Sequence, residues 1–199
     1  HPQDADTFVA GDADALAQRL LATRPVAIGE AGFDFARGGP ALAQQEAAFR
    51  WQIDLALAPR LPLVIHQREA ADQLMAELDH WPGLERVVLH SFDGGERLAD
   101  WAHERGYFVG IGGLATRPRS RELRAALRRI PRDRLLLETD SPYLAPPGSH
   151  SRRNEPANLP LIAEILAPLW DLTGPELCTA TAGNAQRAFG LGDTAADPP

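Results

Sequence analysis

Short apolar runs alternate with longer amphipathic segments along nearly the whole sequence. The runs are too short for buried helices and end in polar or glycine-rich turns, so they predict strands at 26–29, 61–65, 86–89, 107–111 and 135–137. Apolar residues at helical spacing predict helices at 12–23, 42–57, 70–78, 96–105, 119–129, 159–169 and 175–189. Continuous apolar strands separated by helices indicate a parallel sheet covered by helices. The fold class is therefore α/β, either a doubly wound sheet or a barrel.

Reactive side chains follow four of the predicted strands. These residues are Glu30, His66, His90 and Asp140. A (β/α)8 barrel of the TIM type builds its site from the ends of many strands, whereas a doubly wound sheet collects its ligands at one switch point. The pattern favours the barrel. Because such a barrel has about eight strands, we expect an N-terminally incomplete barrel with about five of them present, His1 lying at the exit of the third.

Composition limits the location and the partners of the chain. We expect one hydrolase domain over 1–191 and a C-terminal tail over 192–199. The apolar runs are too short to span a membrane and no secretory leader is recognisable, so a cytoplasmic location is expected. The net charge of -7 argues against a broad electrostatic footprint for nucleic acid, although a local patch or a bound cation could supply one.

The four residues at the strand ends predict a metal centre. Imidazole and carboxylate ligands together suit Zn, Mn or a similar divalent ion. A single such residue is more often a hydrogen-bonded rim or turn residue, but four in phase with the strands favour metal binding. The sequence has neither a phosphate-binding glycine loop nor a nucleophile elbow, which favours a metal-activated water as the nucleophile.

Five motifs resemble those of the TatD family of metal-dependent hydrolases, usually described as deoxyribonucleases, in the amidohydrolase superfamily. They are GEAGFD at 29–34, IHQREA at 65–70, HSF at 90–92, LLLETDSPYLAP at 135–146 and RNEP at 153–156. The resemblance implies a TIM-type barrel and two divalent metal ions, Zn, Mn or Mg. It makes Glu30 a ligand shared by both ions, His66 and His90 ligands of one, and Asp140 a ligand of the other and the proton acceptor. The family's His-x-His pair has no counterpart in this sequence.

The resemblance also implies a substrate, which is DNA, with single-stranded ends cleaved in the 3'-5' direction. Asp140 and Glu30 are the expected catalytic residues, and the expected substrate contacts are Arg153, Asn154, Arg68 and His1. No obligate protein partner is expected.

Two other functions remain open on the sequence. The same kind of site hydrolyses amides and esters in this superfamily, for example the ester of an aminoacyl-tRNA, and fold alone does not decide the substrate. In the third interpretation the chain is an inactive fragment or a scaffold, because the ligands of the first barrel strand are missing.

Overall fold

The computed structural model describes residues 1–36 and 38–191. Helices and strands alternate along them as predicted. In chain order they are α1 (Ala13–Ala22), β1 (Ile28–Asp34), α2 (Leu42–Leu57), β2 (Leu63–Arg68), α3 (Ala71–Leu78), β3 (Val87–Leu89), α4 (Glu96–Glu104), β4 (Phe108–Ile111), α5 (Arg121–Leu127), β5 (Leu135–Leu137), α6 (Leu159–Leu166) and α7 (Gly174–Phe189). Short 3-10 helices lie at Pro2–Thr7, Ala10–Asp12, Arg132–Arg134, Pro156–Asn158 and Ala167–Trp170.

The strands form a five-stranded sheet in the order β1-β2-β3-β4-β5, and the pairs β1–β2 and β4–β5 are parallel. This confirms the α/β fold class. The chain divides into two compact units, His1–Val88 and Leu89 onward. A single domain over 1–191 stays a prediction, and the predicted tail at 192–199 lies outside the described residues.

In the first unit, the strands are longer than predicted at their C-terminal ends. β1 continues to Asp34 and β2 to Arg68, so Glu30 and His66 lie within strands instead of after them. The prediction ended each strand at its first polar residue, where the apolar run stops. Main-chain pairing nevertheless continues, and the Phe35 amide still donates to the Arg68 carbonyl at 3.0 Å.

The core of the first unit lies between β1 and α2. The buried rings of Phe33 and Phe49 meet edge to face, with their centroids 5.1 Å apart. The apolar residues predicted on α1 are less buried, since Leu16, Leu20 and Leu21 remain 36–38% exposed. Their spacing correctly predicted a helix at α1, but it did not indicate that this helix is little buried.

In the second unit, α7 is anchored to the strand that precedes the candidate site. The buried amide of Asn184 donates from Nδ2 to the carbonyls of Arg132 and Leu135, each at 2.7 Å. α7 begins with a capping box between Thr173 and Glu176, which satisfies free amides of its first turn. This anchoring fixes the start of β5.

None of the helices in the described part of the chain has the length and apolar character needed to cross a membrane.

Candidate metal centre

A β-bulge in β1 positions Glu30. Ile28 pairs with Leu63 and Ala31 with Ile65, so β1 has one more residue than β2 over this interval. Bulges of this kind redirect side chains and are common beside active sites. Beyond the bulge the register is regular, and Gly32 pairs with His66. The carboxylate of Glu30 and the ring of His66 therefore face the same point.

Three side chains of the first unit converge there. The Nδ1 atom of His66 lies 3.3 Å from Oε2 of Glu30, and Nε2 of His1 lies 3.7 Å from the same oxygen. The two imidazoles are 3.2 Å apart, from His1 Nε2 to His66 Nδ1. These atoms form a candidate cation-binding group, and both Glu30 and His66 are half-buried.

Hydrogen bonds assign different roles to the two histidines. His66 Nε2 is 3.0 Å from Oδ2 of Asp34, which as a carboxylate only accepts, so Nε2 carries the hydrogen and Nδ1 keeps its lone pair. The main-chain N–H of Gln3 donates to His1 Nδ1 at 3.1 Å. His1 therefore carries its hydrogen on Nε2 and donates it toward His66 Nδ1. Only a nitrogen with a lone pair binds a metal, so His66 can act as a ligand in this arrangement, whereas His1 acts as a hydrogen-bond donor.

The pair His66 and Glu30 fits a divalent cation. Both atoms are acceptors in this tautomer, so the two cannot hydrogen-bond to each other across their 3.3 Å separation. Two ligands each about 2.1 Å from a tetrahedral ion lie roughly 3.4 Å apart. The spacing and the chemistry of these two atoms are those of ligands on one ion.

The second unit holds a histidine between two carboxylates. His90 follows β3, and its Nδ1 lies 3.0 Å from Oε2 of Glu138 while its Nε2 lies 3.8 Å from Oδ1 of Asp140. The Ser91 amide donates to the other oxygen of Glu138 at 2.5 Å. Glu138 is thus an acceptor at both oxygens, so His90 carries its hydrogen on Nδ1. The lone pair on Nε2 faces Asp140.

Asp140 lies in a strained part of the backbone. Its φ is 57°, a left-handed value that is costly for a residue with a side chain and that often marks functional sites. The turn is held by the Tyr143 amide, which donates to the Asp140 carbonyl at 2.9 Å. Asn154 also braces it, since its Nδ2 donates to the Thr139 carbonyl at 2.6 Å. These bonds keep the carboxylate of Asp140 directed toward His90.

The predicted substrate residues differ in their surroundings. Arg153 is exposed and His1 is in the cluster described above, while Arg68 is half-buried at the last position of β2. Asn154 is buried, and its Oδ1 accepts from the Glu155 amide and from Asn158. Its amide is engaged within the protein, which favours a role in shaping the loop of Asp140. Substrate contact by these four residues stays a prediction.

Sequence reasoning did not assign roles to Asp34 and Glu138. Both belong to the motifs quoted above, yet as single acidic residues next to strand ends they gave no signal of what they bond. Asp34 is 2% exposed and accepts from His66, from Gln3 Nε2 at 2.8 Å and from the Ala36 amide at 3.0 Å. The alternation of side chains along a strand could have indicated the contact. Asp34 lies two residues beyond Gly32, the partner of His66, and therefore on the same face of the sheet as Gly32.

A parallel α/β sheet that carries imidazoles and carboxylates within and after its strands is typical of hydrolases of the barrel type. The family model described as TatD related DNase matches residues 1–190. The chain belongs to this family, as the motifs predicted. The TatD family is generally metal-dependent.

Two relatives illustrate the match. The 3'-5' ssDNA/RNA exonuclease TatD of Cronobacter turicensis is 46% identical over 197 residues, covering 95% of this chain and 74% of the relative. The protein of the same name from Salmonella typhimurium is 39% identical over 198 residues, covering 95% and 75%.

Solved structures of TatD family proteins are similar to this chain. A TatD homologue from Escherichia coli K12 has a TM-score of 0.87 at 28% identity, covering 96% of this chain and 74% of the other. A TatD family hydrolase from Entamoeba histolytica has a TM-score of 0.83 at 25% identity, covering 95% and 72%.

Proposed function

We propose that this chain is a divalent-metal-dependent 3'-5' exonuclease that acts on single-stranded ends of DNA or RNA. The observation that carries the proposal is the pair of imidazole–carboxylate groups, His66 with Glu30 and His90 with Asp140, each with a ring lone pair facing a carboxylate oxygen. Relatives that are named 3'-5' ssDNA/RNA exonuclease support the substrate and the direction.

The four residues would hold two ions, Zn, Mn or Mg. When bound, such ions polarise a phosphoryl oxygen and lower the pKa of water toward about 7. Glu30 and His66 supply ligands from the first unit, and His90 and Asp140 supply them from the second. Asp140 also accepts the proton of the attacking water at its carboxylate.

The chain's own donors would orient the substrate. His1 directs its Nε2 hydrogen at the atoms of Glu30 and His66, and it can donate that hydrogen to an anionic phosphoryl oxygen instead. Arg153 is exposed on the loop after β5 and can pair with a phosphate in the two-pronged geometry of a guanidinium. Arg68 at the end of β2 is a further proposed contact, while the buried Asn154 beside Arg153 shapes the loop through its bond to the Thr139 carbonyl.

The acidic character of the chain suits a local mode of binding. With a net charge of -7, attraction to the phosphate backbone comes from the metal ions and from single arginines instead of a broad basic surface. We also propose a cytoplasmic location and no obligate protein partner, because the predicted substrate is nucleic acid.

Nuclease assays with controlled metal content test the proposal. The purified chain is stripped with a chelator, dialysed and supplied with Mg, Mn or Zn, and then given single-stranded DNA and RNA labelled at the 5' end. We expect metal-dependent shortening from the 3' end and its loss in Asp140→Asn. Glu77→Gln is the matched control, since it makes the same carboxylate-to-amide change at a buried site on α3. Full metal-dependent activity in Asp140→Asn would contradict the assignment.

The same assays distinguish the two alternative functions, ester hydrolase and non-catalytic scaffold. Hydrolysis of an aminoacyl ester in place of nucleic acid would identify the ester-hydrolase alternative. A chain that binds no ion and cleaves nothing would identify the scaffold alternative.

A further inference from the structure

His66 and His90, whose ring lone pairs face a carboxylate in the candidate site, each have a second carboxylate on the opposite ring nitrogen. Asp34 accepts from Nε2 of His66, and Glu138 accepts from Nδ1 of His90, both at 3.0 Å. His66 therefore bonds to the protein through Nε2 and faces the site with Nδ1, whereas His90 bonds through Nδ1 and faces the site with Nε2. The residue motifs alone do not show this inversion.

Asp34 is built in as an acceptor. Its Oδ2 accepts from both His66 and Gln3, and its Oδ1 accepts from the Ala36 amide. Its main chain is clamped by Gln45, whose Oε1 accepts from the Asp34 amide at 2.9 Å and whose Nε2 donates to the Asp34 carbonyl at 3.2 Å. In Asp34→Asn, the side-chain NH2 group would point at a hydrogen-bond donor in either orientation, because both Asp34 oxygens accept hydrogen bonds.

Glu138 reaches His90 across β4. Main-chain bonds join Phe92 to Gly110 of β4 and join Glu138 to Ile111 of β4, so this strand separates the two partners. A Cβ atom at Gly110 would collide with Oε2 of Glu138, and with Cδ at 2.7 Å. The absence of a side chain at position 110 therefore gives the Glu138 carboxylate the room it occupies beside His90.

We propose that Asp34 and Glu138 are positioning residues that fix the tautomers of the two histidines, so that His66 presents Nδ1 and His90 presents Nε2 to the metal ions. The proposal rests on the metal-dependent function proposed above. Such outer carboxylates orient a ligating imidazole and raise its basicity, and their loss typically weakens metal binding by about 10–100-fold.

The first test reads the tautomers in the metal-free protein. Histidine labelled with 15N gives separate signals for the protonated and unprotonated ring nitrogens, and the spectra are recorded above pH about 8, where an ordinary imidazole is neutral. Signals are assigned by their loss in His66→Gln and His90→Gln. We expect hydrogen on Nε2 of His66 and on Nδ1 of His90 in the wild type. The reverse tautomer at either histidine would overturn the inference, whether or not the chain is a nuclease.

The second test reads metal affinity and the tautomer together in variants. Asp34→Asn should change the tautomer of His66 alone, and Glu138→Gln that of His90 alone, each lowering Zn or Mn affinity by about 10–100-fold in a competition titration with a chromophoric chelator. Gly110→Ala keeps the carboxylate but displaces it, and should reproduce the effect of Glu138→Gln. Glu77→Gln is the control and should leave affinity and both tautomers unchanged.

The outcomes separate the two proposals. A wild type that binds no ion would refute the proposed function while the tautomer spectra still decide the roles of Asp34 and Glu138. Folded variants that keep both the wild-type tautomers and wild-type affinity within twofold would overturn the positioning role. If an amide variant does not fold, Gly110→Ala and the wild-type spectra give the decision.

Discussion

Replacement of Arg50 by Met should destabilise the first unit, because a buried carboxylate loses its guanidinium partner. Arg50 on α2 donates from Nε and Nη2 to the two oxygens of Glu77 on α3, each at 2.8 Å. The Glu77 side chain is 6% exposed and that of Arg50 is 52% exposed. Met fills the space of the aliphatic part of Arg50, but it leaves the carboxylate with one fewer partner of opposite charge.

The size of the loss follows from these two bonds. Hydrogen bonds to charged groups contribute about 1.5–3 kcal/mol each. Because the guanidinium is half exposed, solvent screening reduces this sum, and we expect Arg50→Met to lower the free energy of unfolding by about 2–3 kcal/mol at pH 7. With a urea dependence of about 2 kcal/mol per molar, the unfolding midpoint falls by about 1 M.

The loss should also depend on pH. The hydrogen bond from Arg50 lowers the pKa of Glu77, assisted by a bond from Trp81 Nε1 and opposed by burial. A carboxylate whose pKa is lowered by folding contributes stability that is full above its unfolded pKa, about 4.3, and that disappears as pH falls through the lower folded value. The difference between wild type and Arg50→Met should therefore shrink on acidification below about pH 4.

Urea unfolding followed by far-ultraviolet circular dichroism at pH 7 and about pH 3.5 measures both effects. Arg50→Lys is the control, since it keeps the charge but loses the two-pronged geometry, and it should fall between the wild type and Arg50→Met. A change of less than about 0.5 kcal/mol at pH 7, or an equal change at the two pH values, would refute the argument.

Three further changes test other contacts. Asn184→Ala removes both bonds to the start of β5 and should lower the free energy of unfolding by about 2 kcal/mol in the same urea assay. Gly113→Ala places a Cβ against the Leu144 carbonyl, so it should move the loop of Asp140 and reduce the nuclease rate while circular dichroism stays unchanged. Arg129→Ala breaks an exposed ion pair with Asp100, so the unfolding midpoint should not change. The pKa of Asp100, which Arg129 lowers, should rise in an NMR titration.

The order of helices and strands could be predicted because apolar periodicity is a local property. The bounds of α2 over 42–57 agree with the prediction, whereas β1 begins and ends later than the predicted 26–29, because Glu30 interrupts the apolar run. Pairing with β2 resumes at Ala31 and extends the strand to Asp34. Local pattern therefore located the elements, and long-range pairing determined where the strands end.

The candidate ligands could be predicted because they recur in phase with the strands, but the direction of each ring could not. That direction depends on Asp34 and Glu138, which bond across neighbouring strands and are 32 and 48 residues away from their histidines. Sequence also gave no sign that Asn154 is buried with its amide on the Thr139 carbonyl. Such contacts depend on register, which a pattern of residue types does not report.

Two glycines connect the strands to the orientation of the histidines. In β1, Gly32 has a φ of 126° and a Cβ there would collide with the His66 carbonyl, so a side chain would separate β1 from β2 at the register that brings Asp34 to His66. In β4, Gly110 leaves the space through which Glu138 meets His90. If the carboxylates act by position, Gly32→Ala and Gly110→Ala must weaken metal binding as the loss of the carboxylates does, although neither glycine has a side chain that could bind an ion. A structural role for the carboxylates elsewhere in the fold would not link them to these two glycines.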